Sequence, residues 1–231
     1  MVLCYQKIGQ IASLFWIRKE KSSEFGFVQL YQFGSLCYNR KKENERKKPM
    51  NLEERCIRSE SVYQGCLIRA YRDEVSLPDG GESVREYMRH NGAVCILPLT
   101  DDGKVLLEHQ YRYAIGEVLT EIPAGKLDSP EEDPLEAAKR ELREETGAEA
   151  ATWVELGSFL PAPAYSNERI WMFAAKDLSF GSQDMDEDEF LEVFEMPLEE
   201  LVESVLAGSI PDIKTQAAAL RVFAMRQKGQ F

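Results

Sequence analysis

Three glutamates, Glu141, Glu144 and Glu145, stand at i, i+3 and i+4 in the run "AAKRELREETGA". On a helix that spacing sets three carboxylates on neighbouring turns of one face, where they repel one another. Two readings follow from spacing alone. One is the solvated acidic face of a surface helix. In the other, hard divalent cations such as Mg²⁺ or Mn²⁺ sit among the carboxylates and relieve the repulsion. Immediately upstream, "EIPAGKLD" supplies Gly125 in a loop where backbone can approach a ligand, with the Ala124 carbonyl as a further oxygen donor.

The elements that must hold these residues are legible around them. Asp133 as N-cap, Pro134 at the first helical position and Gly147 after the last turn bound a helix of about 13 residues. Its apolar stripe is Leu135, Ala138 and Leu142. From Val62 to His90 short β-rich runs punctuated by "PDGG" predict a meander. "GAVCILPL" and "KVLLEHQYRY" flank the turn signal "TDDG", which predicts a hairpin between them. Strand-like runs return at "TWVELGSFL", "RIWMFAAKDL" and "FLEVFEM", and "LEELVESVLAGSI" and "TQAAALRVFAMRQ" read as two closing helices. Strands and helices mix without a strict βαβ repeat, which indicates an α+β class.

Bulk properties narrow the partners. The chain has 231 residues, 44% hydrophobic and 29% charged, an ordinary globular composition. A formal charge of -12 excludes a nucleic-acid partner that would need a basic face. Five cysteines without CxxC spacing fit a reducing, cytoplasmic setting. Cys66 and Cys95 read as structural residues on apolar strands, and His90 and His109 lack ligand spacing. No run approaches the ~18 apolar residues of a membrane helix, so no membrane partner is expected. The first 49 residues carry ten Lys and Arg against four Glu, a net +6, so the other 182 residues carry -18. Residues 1–49, ending in the charge run "NRKKENERKKP", are expected to be a disordered or mis-started extension, with Met50 the natural start of a 50–231 domain.

"GKLDSPEEDPLEAAKRELREETGA" resembles the Nudix box, G-x5-E-x7-R-E-U-x-E-E-x-G-U with U a bulky apolar residue. From Glu132 through Gly147 the spacing is kept. Six residues, not five, separate Gly125 from Glu132, and the last position is the small Ala148. Over roughly 52–225 the chain is similar to the ADP-ribose pyrophosphatase branch of the Nudix hydrolases. Pro163 falls at that branch's marker proline, followed by Ala164 where Gly is usual, and "MDEDEFLEV" matches its acidic loop.

The resemblance implies a Nudix α/β/α sandwich with a mixed sheet, and an N-terminal antiparallel sheet at 52–90 that pairs with a second subunit in a homodimer. It implies Mg²⁺-dependent hydrolysis of ADP-ribose to AMP and ribose 5-phosphate. The alternatives are another nucleoside diphosphate sugar or dinucleotide as substrate, or a catalytically silent nucleotide-binding module, against which the intact box argues. By the same resemblance Ala124, Glu141, Glu145 and Glu189 are metal ligands, with Mn²⁺ an acceptable metal, and Arg140 orients the glutamates. Glu187 is the candidate base, with Glu144 the alternate or a further ligand. Arg85 and Glu86 match an Arg-Glu pair that reaches a substrate across a dimer. Arg112 in "QYRY" has the fork to meet a phosphate, or to make a strand-surface salt bridge. Ser166 and Glu168 follow the marker proline and are placed to meet a ribose, or to serve turn chemistry. Tyr71 and Tyr87 are either adenine stackers or packing residues.

Overall fold

The computed structural model describes residues 51–185 and 190–231. Glu187 and Glu189 lie outside the described residues.

The strands carry the site from two directions. "GAVCILPL" becomes strand β4 (Ala93–Pro98), buried along its whole length. Its side chains alternate: Ala93, Cys95 and Leu97 enter one apolar cluster, while Val94 and Ile96 enter the other. Strand β9 (Ile170–Phe180) repeats the alternation, with Met172 and Ala174 on one side and Phe173 and Ala175 on the other. A strand wet on neither face has no polar alternation to show, which is why these runs read as almost continuously apolar.

Helix α1 (Pro134–Thr146) covers one face through Ala137, Ala138 and Leu142. Helices α2 (Leu198–Leu206) and α3 (Ile213–Gln227) cover the other through Leu198, Leu201, Val202, Ala218, Ala219 and Val222. The result is the expected α/β/α sandwich. Its central sheet has the order β7-β4-β9-β8, where β7 is Ala124–Lys126 and β8 is Ala148–Phe159. Strands β4 and β9 run parallel and the other pairs antiparallel, so the sheet is mixed.

A second, antiparallel sheet has the order β10-β5-β6, from Leu191–Pro197, Lys104–Arg112 and Glu117–Glu121. This corrects the expected hairpin. "TDDG" does turn the chain, with Gly103 at φ 85° and the Thr100 hydroxyl accepting from the Lys104 amide, yet β4 and β5 enter different sheets and share only the Leu99–Val105 bridge. Both edges of β4 are taken, by β7 and β9, so β5 pairs with β6 and β10 instead.

The meander is present as the antiparallel sheet β1-β2-β3, at Arg55–Gln64, Arg69–Ser76 and Glu82–Met88. The two tyrosines belong to its packing: Tyr71 and Tyr87 stack at 5.9 Å, and Arg89 lies 3.9 Å over the Tyr71 ring. Cys95 is buried as expected, whereas Cys66 sits exposed in the turn after β1, because β1 ends at Gln64 before reaching it. Helix α3 begins two residues earlier than its apolar run suggested. Asp212 caps it by accepting from the Thr215 amide, and so draws Lys214 and Thr215 into its first turn.

Candidate active site

The carboxylate helix is fixed at both ends. The Asp133 side chain accepts from the amides of Leu135 and Glu136 at 2.8 and 3.2 Å. Gly147, at φ 69°, returns its amide to the Arg143 carbonyl. Such caps contribute about 1 kcal/mol each and leave the helix no freedom to slide. With Ala138 and Leu142 buried beneath it, α1 presents Glu141, Glu144 and Glu145 to a cavity of about 800 Å³. Gly125, expected in a loop, lies instead in strand β7, drawn into the central sheet by pairing with Val94 of β4, and Ala124–Lys126 lines the cavity as well.

Glu145 is 2% exposed, and its carboxylate accepts from the Ala124 amide at 2.9 Å, which ties the helix to the 121–125 segment. Glu141 lies against Gly125, where a Cβ would stand 1.9 Å from its carboxyl carbon. That contact, and not an unusual φ, is why glycine stands there. Arg140 holds the group together. Nη1 donates to Glu141 at 2.8 Å and to Glu144 at 3.2 Å, and Nη2 to the Lys126 carbonyl at 3.2 Å and to Glu132 at 3.4 Å. Burial works against its charge, but Glu141, Asp128 and Glu132 outweigh that and hold the guanidinium firmly protonated.

The extra loop residue is accommodated without loss of these contacts. Glu132 reaches Arg140 with one oxygen and accepts from the Asp128 amide at 2.6 Å with the other, so it and not Glu131 fills the box position. Glu131 donates its backbone amide to the Ser129 hydroxyl at 3.3 Å and shows no contact with Arg140 among the described residues.

Hard oxygens of this kind suit Mg²⁺ or Mn²⁺. The pocket that Gly125 leaves open for the Glu141 carboxylate, and the anchoring of Glu145 on Ala124, fit the residues to that role. Among the described residues no three His, Cys, Asp or Glu side chains converge as a metal cluster. The expected ligand set includes only two described carboxylates, Glu141 and Glu145, besides the Ala124 carbonyl.

The remaining expected site residues divide. Arg112 and Glu168 line the same cavity. Arg112 sets two N–H groups on the two oxygens of Glu121, at 2.7 and 2.8 Å. Ser166 accepts from the Glu168 amide at 3.1 Å, which is turn chemistry. Glu168 also stands 3.8 Å from His90. Arg85 and Glu86 are exposed on β3, away from this chain's cavity; Arg85 donates to Glu54, at 2.8 Å through Nε.

Several cavity residues had no motif to announce them. Glu121 is 1% exposed and lies between Arg112 and the buried Lys214, whose ammonium also stands 3.2 Å from Asp212. Burial would raise the Glu121 carboxyl, but Arg112 and Lys214 together hold it below its ordinary value. Asp184, also on the cavity wall, donates its amide to the Glu144 carbonyl at 3.1 Å, and Gln183 donates its side-chain amide to the Glu145 carbonyl at 2.6 Å. These bonds satisfy carbonyls that the last turn of α1 cannot. One signal was available in the sequence: the D-x-K-T run of 212–215 is an N-cap followed by a cation where an apolar stripe would start.

A carboxylate-bearing helix clamped by one arginine and packed on a glycine-bearing strand, within an α/β/α sandwich, defines the Nudix class of domain. The chain belongs to the Nudix family: the NUDIX domain model matches residues 88–217. It is 39% identical over 170 residues to the ADP-ribose pyrophosphatase of Bacillus subtilis (strain 168), covering 73% of this chain and 91% of that one. It is 39% identical over 168 residues to the methanol dehydrogenase activator of Bacillus methanolicus, covering 72% and 90%. The crystal structure of an ADP compounds hydrolase superposes with a TM-score of 0.70 at 25% identity, covering 78% of this chain and 99% of that one. Among the described residues no helix is long and apolar enough to cross a membrane.

Proposed function

We propose that this protein hydrolyses the pyrophosphate bond of ADP-ribose, with Mg²⁺ or Mn²⁺, to AMP and ribose 5-phosphate. One observation carries the reading: the cavity is lined by eight carboxylates, from Asp and Glu, against four cations, from Lys and Arg. Such a wall repels a pyrophosphate by itself and admits one when divalent cations neutralise it. The relatives named for ADP-ribose and ADP compounds give the substrate class.

In this reading Glu141, Glu145, Glu189 and the Ala124 carbonyl hold the metal. When bound, the metal neutralises pyrophosphate charge and makes water a better nucleophile at neutral pH. Arg140 keeps Glu141 and Glu144 aimed at the cavity. Glu187, or Glu144 in its place, takes a proton from the attacking water as its oxygen bonds to phosphorus. The bridging P–O bond breaks, and its electron pair leaves with the departing phosphate. Arg112 meets a phosphate with the N–H groups that Glu121 does not use, and Glu168 meets the ribose with Ser166 shaping its loop. Arg85 and Glu86 act on the partner's substrate in a homodimer paired through β1-β2-β3. The catalytic unit is residues 50–231, with 1–49 an extension outside it, and the setting is the cytoplasm.

The testing experiment is phosphate release from a panel of nucleoside diphosphate compounds, coupled to a phosphatase, with and without Mg²⁺. ADP-ribose is expected to be the best substrate and EDTA to abolish turnover. Faster cleavage of another sugar or dinucleotide would replace the substrate, and no turnover of any compound would leave a binding module.

A further inference from the structure

Lys214 is a buried ammonium, 7% exposed, in the first turn of α3, and the box chemistry gives it no task. Its Nζ donates to Glu121 Oε2 and stands 3.2 Å from Asp212 Oδ1. Glu121 in turn receives Arg112 in a forked pair, Nε on Oε1 and Nη2 on Oε2. Thr215 closes the frame: its hydroxyl donates to Asp212 at 2.6 Å and accepts from the Ile122 amide at 2.9 Å, one residue from Glu121 and two from Ala124. Helix α3 is thereby locked to the end of β6, where the chain runs on into β7.

A guanidinium has five N–H groups, and Arg112 gives two of them to Glu121. The other three make no hydrogen bond among the described residues, and Arg112 lines the cavity. A lone buried carboxylate would compete with any phosphate for that guanidinium. Two cations share this one carboxylate, so the ammonium takes up part of the Glu121 charge and weakens its hold on the guanidinium, which lines the same cavity.

We propose that Lys214 is a positioning residue for anion binding: by sharing Glu121 Oε2 it keeps Arg112 turned to the cavity, where the guanidinium receives a phosphate of a nucleoside diphosphate. Asp212 is the counterweight that keeps the four-charge array neutral. This rests on the reading of the cavity as a pyrophosphate site, and the test separates the two.

The test is equilibrium binding, with Mg²⁺ present, of an ADP-ribose analogue whose bridging oxygen is replaced by CH₂ and which cannot be hydrolysed there, to the full chain in a double-mutant cycle of Lys214→Met and Arg112→Ala. Lys214→Met is expected to weaken binding about tenfold alone and by less than about twofold in the Arg112→Ala background, because it acts through Arg112. Lys214→Arg is expected to restore binding to within about threefold of wild type. A purely structural lysine would cost the same factor in both backgrounds, which would overturn the proposal. If Lys214→Met does not fold, Lys214→Gln, neutral but still a donor to Glu121, takes its place in the cycle. Unchanged binding on loss of the ammonium, with Arg112→Ala weakened, overturns the Lys214 role alone. If wild type binds a different nucleoside diphosphate compound instead, the cycle is read on that compound and only the substrate name falls. If it binds none, or if Arg112→Ala has no effect, both the anion site and the role of Lys214 are overturned.

Discussion

The Glu141 carboxylate rests on the Cα of Gly125, so close that a Cβ at 125 would fall 1.9 to 2.1 Å from three of its atoms. The contact joins the helix that bears the acids to strand β7, and it involves no left-handed backbone. Gly125→Ala therefore tests the site and not the turn. The methyl group must push Glu141 off its place while the fold, which needs no glycine φ there, keeps its stability. We expect kcat to fall by at least about a hundredfold, with the melting temperature within a few degrees of wild type. Near-normal turnover in a folded Gly125→Ala protein would show that Glu141 works from some other position.

Glu145→Gln removes a negative charge and keeps the shape, and its amide oxygen can still accept from the Ala124 amide. Loss of an anionic ligand should lower turnover by orders of magnitude without unfolding the protein. More than about a third of the wild-type rate at saturating Mg²⁺ would contradict the assignment, since a ligand to a catalytic metal is worth several kcal/mol.

Acid stability should report the Arg112–Glu121–Lys214 array. Burial alone would raise the Glu121 carboxyl, and its two cationic partners lower it below the ordinary 4.5. A carboxylate whose folded value lies below its unfolded one stabilises the fold at every pH above the unfolded value, and that stability is lost as pH falls through the folded value. Glu121→Gln should therefore be less stable at pH 7, by on the order of 3 to 5 kcal/mol, because it strands two cations. The gap should begin to narrow below about pH 4.5, the ordinary value, and go on narrowing as pH falls towards the lower folded value and the wild-type carboxyl protonates. Melting temperatures of both proteins from pH 7 to pH 3 check this; a constant gap would mean that the charge of Glu121 is not what stabilises the array.

The same array marks where sequence reasoning stopped. Helix α1 was legible to its ends because its caps, apolar stripe and acidic face all repeat at helical spacing, and the strand runs were legible from their composition. Pairing was not. "TDDG" carries a sound turn signal, but which neighbour β5 takes depends on β4 being flanked already by β7 and β9, a tertiary fact with no local trace. Glu121 and Lys214 are 93 residues apart, and each alone looks like surface charge until the fold buries both against one another. The box, by contrast, packs Glu132, Arg140, Glu141 and Glu144 within one helix and its preceding loop, so its contacts are written at short range.

Assembly gives the last prediction. Arg85 lies on the exposed sheet β1-β2-β3, paired to Glu54 and away from its own chain's cavity, and that sheet also carries exposed Ile57, Val62 and Val84. If that sheet pairs with a twofold-related copy, each cavity borrows Arg85 and Glu86 from its partner, and activity requires the dimer. Two inactive variants, Arg85→Ala and Glu145→Gln, are mixed after mild dissociation and allowed to reassociate. In a heterodimer one cavity has an intact Glu145 from the first chain and an intact Arg85 from the second, while the other lacks both. Random exchange makes half of the dimers heterodimers with one competent site of two, so activity should return to about a quarter of wild type. A monomer, or a dimer whose cavities are self-contained, recovers nothing on mixing. Absence of recovery, with subunit exchange confirmed by a mass-tagged chain, would leave Arg85 and Glu86 as surface ion-pair residues and the carboxylate chemistry of α1 unchanged.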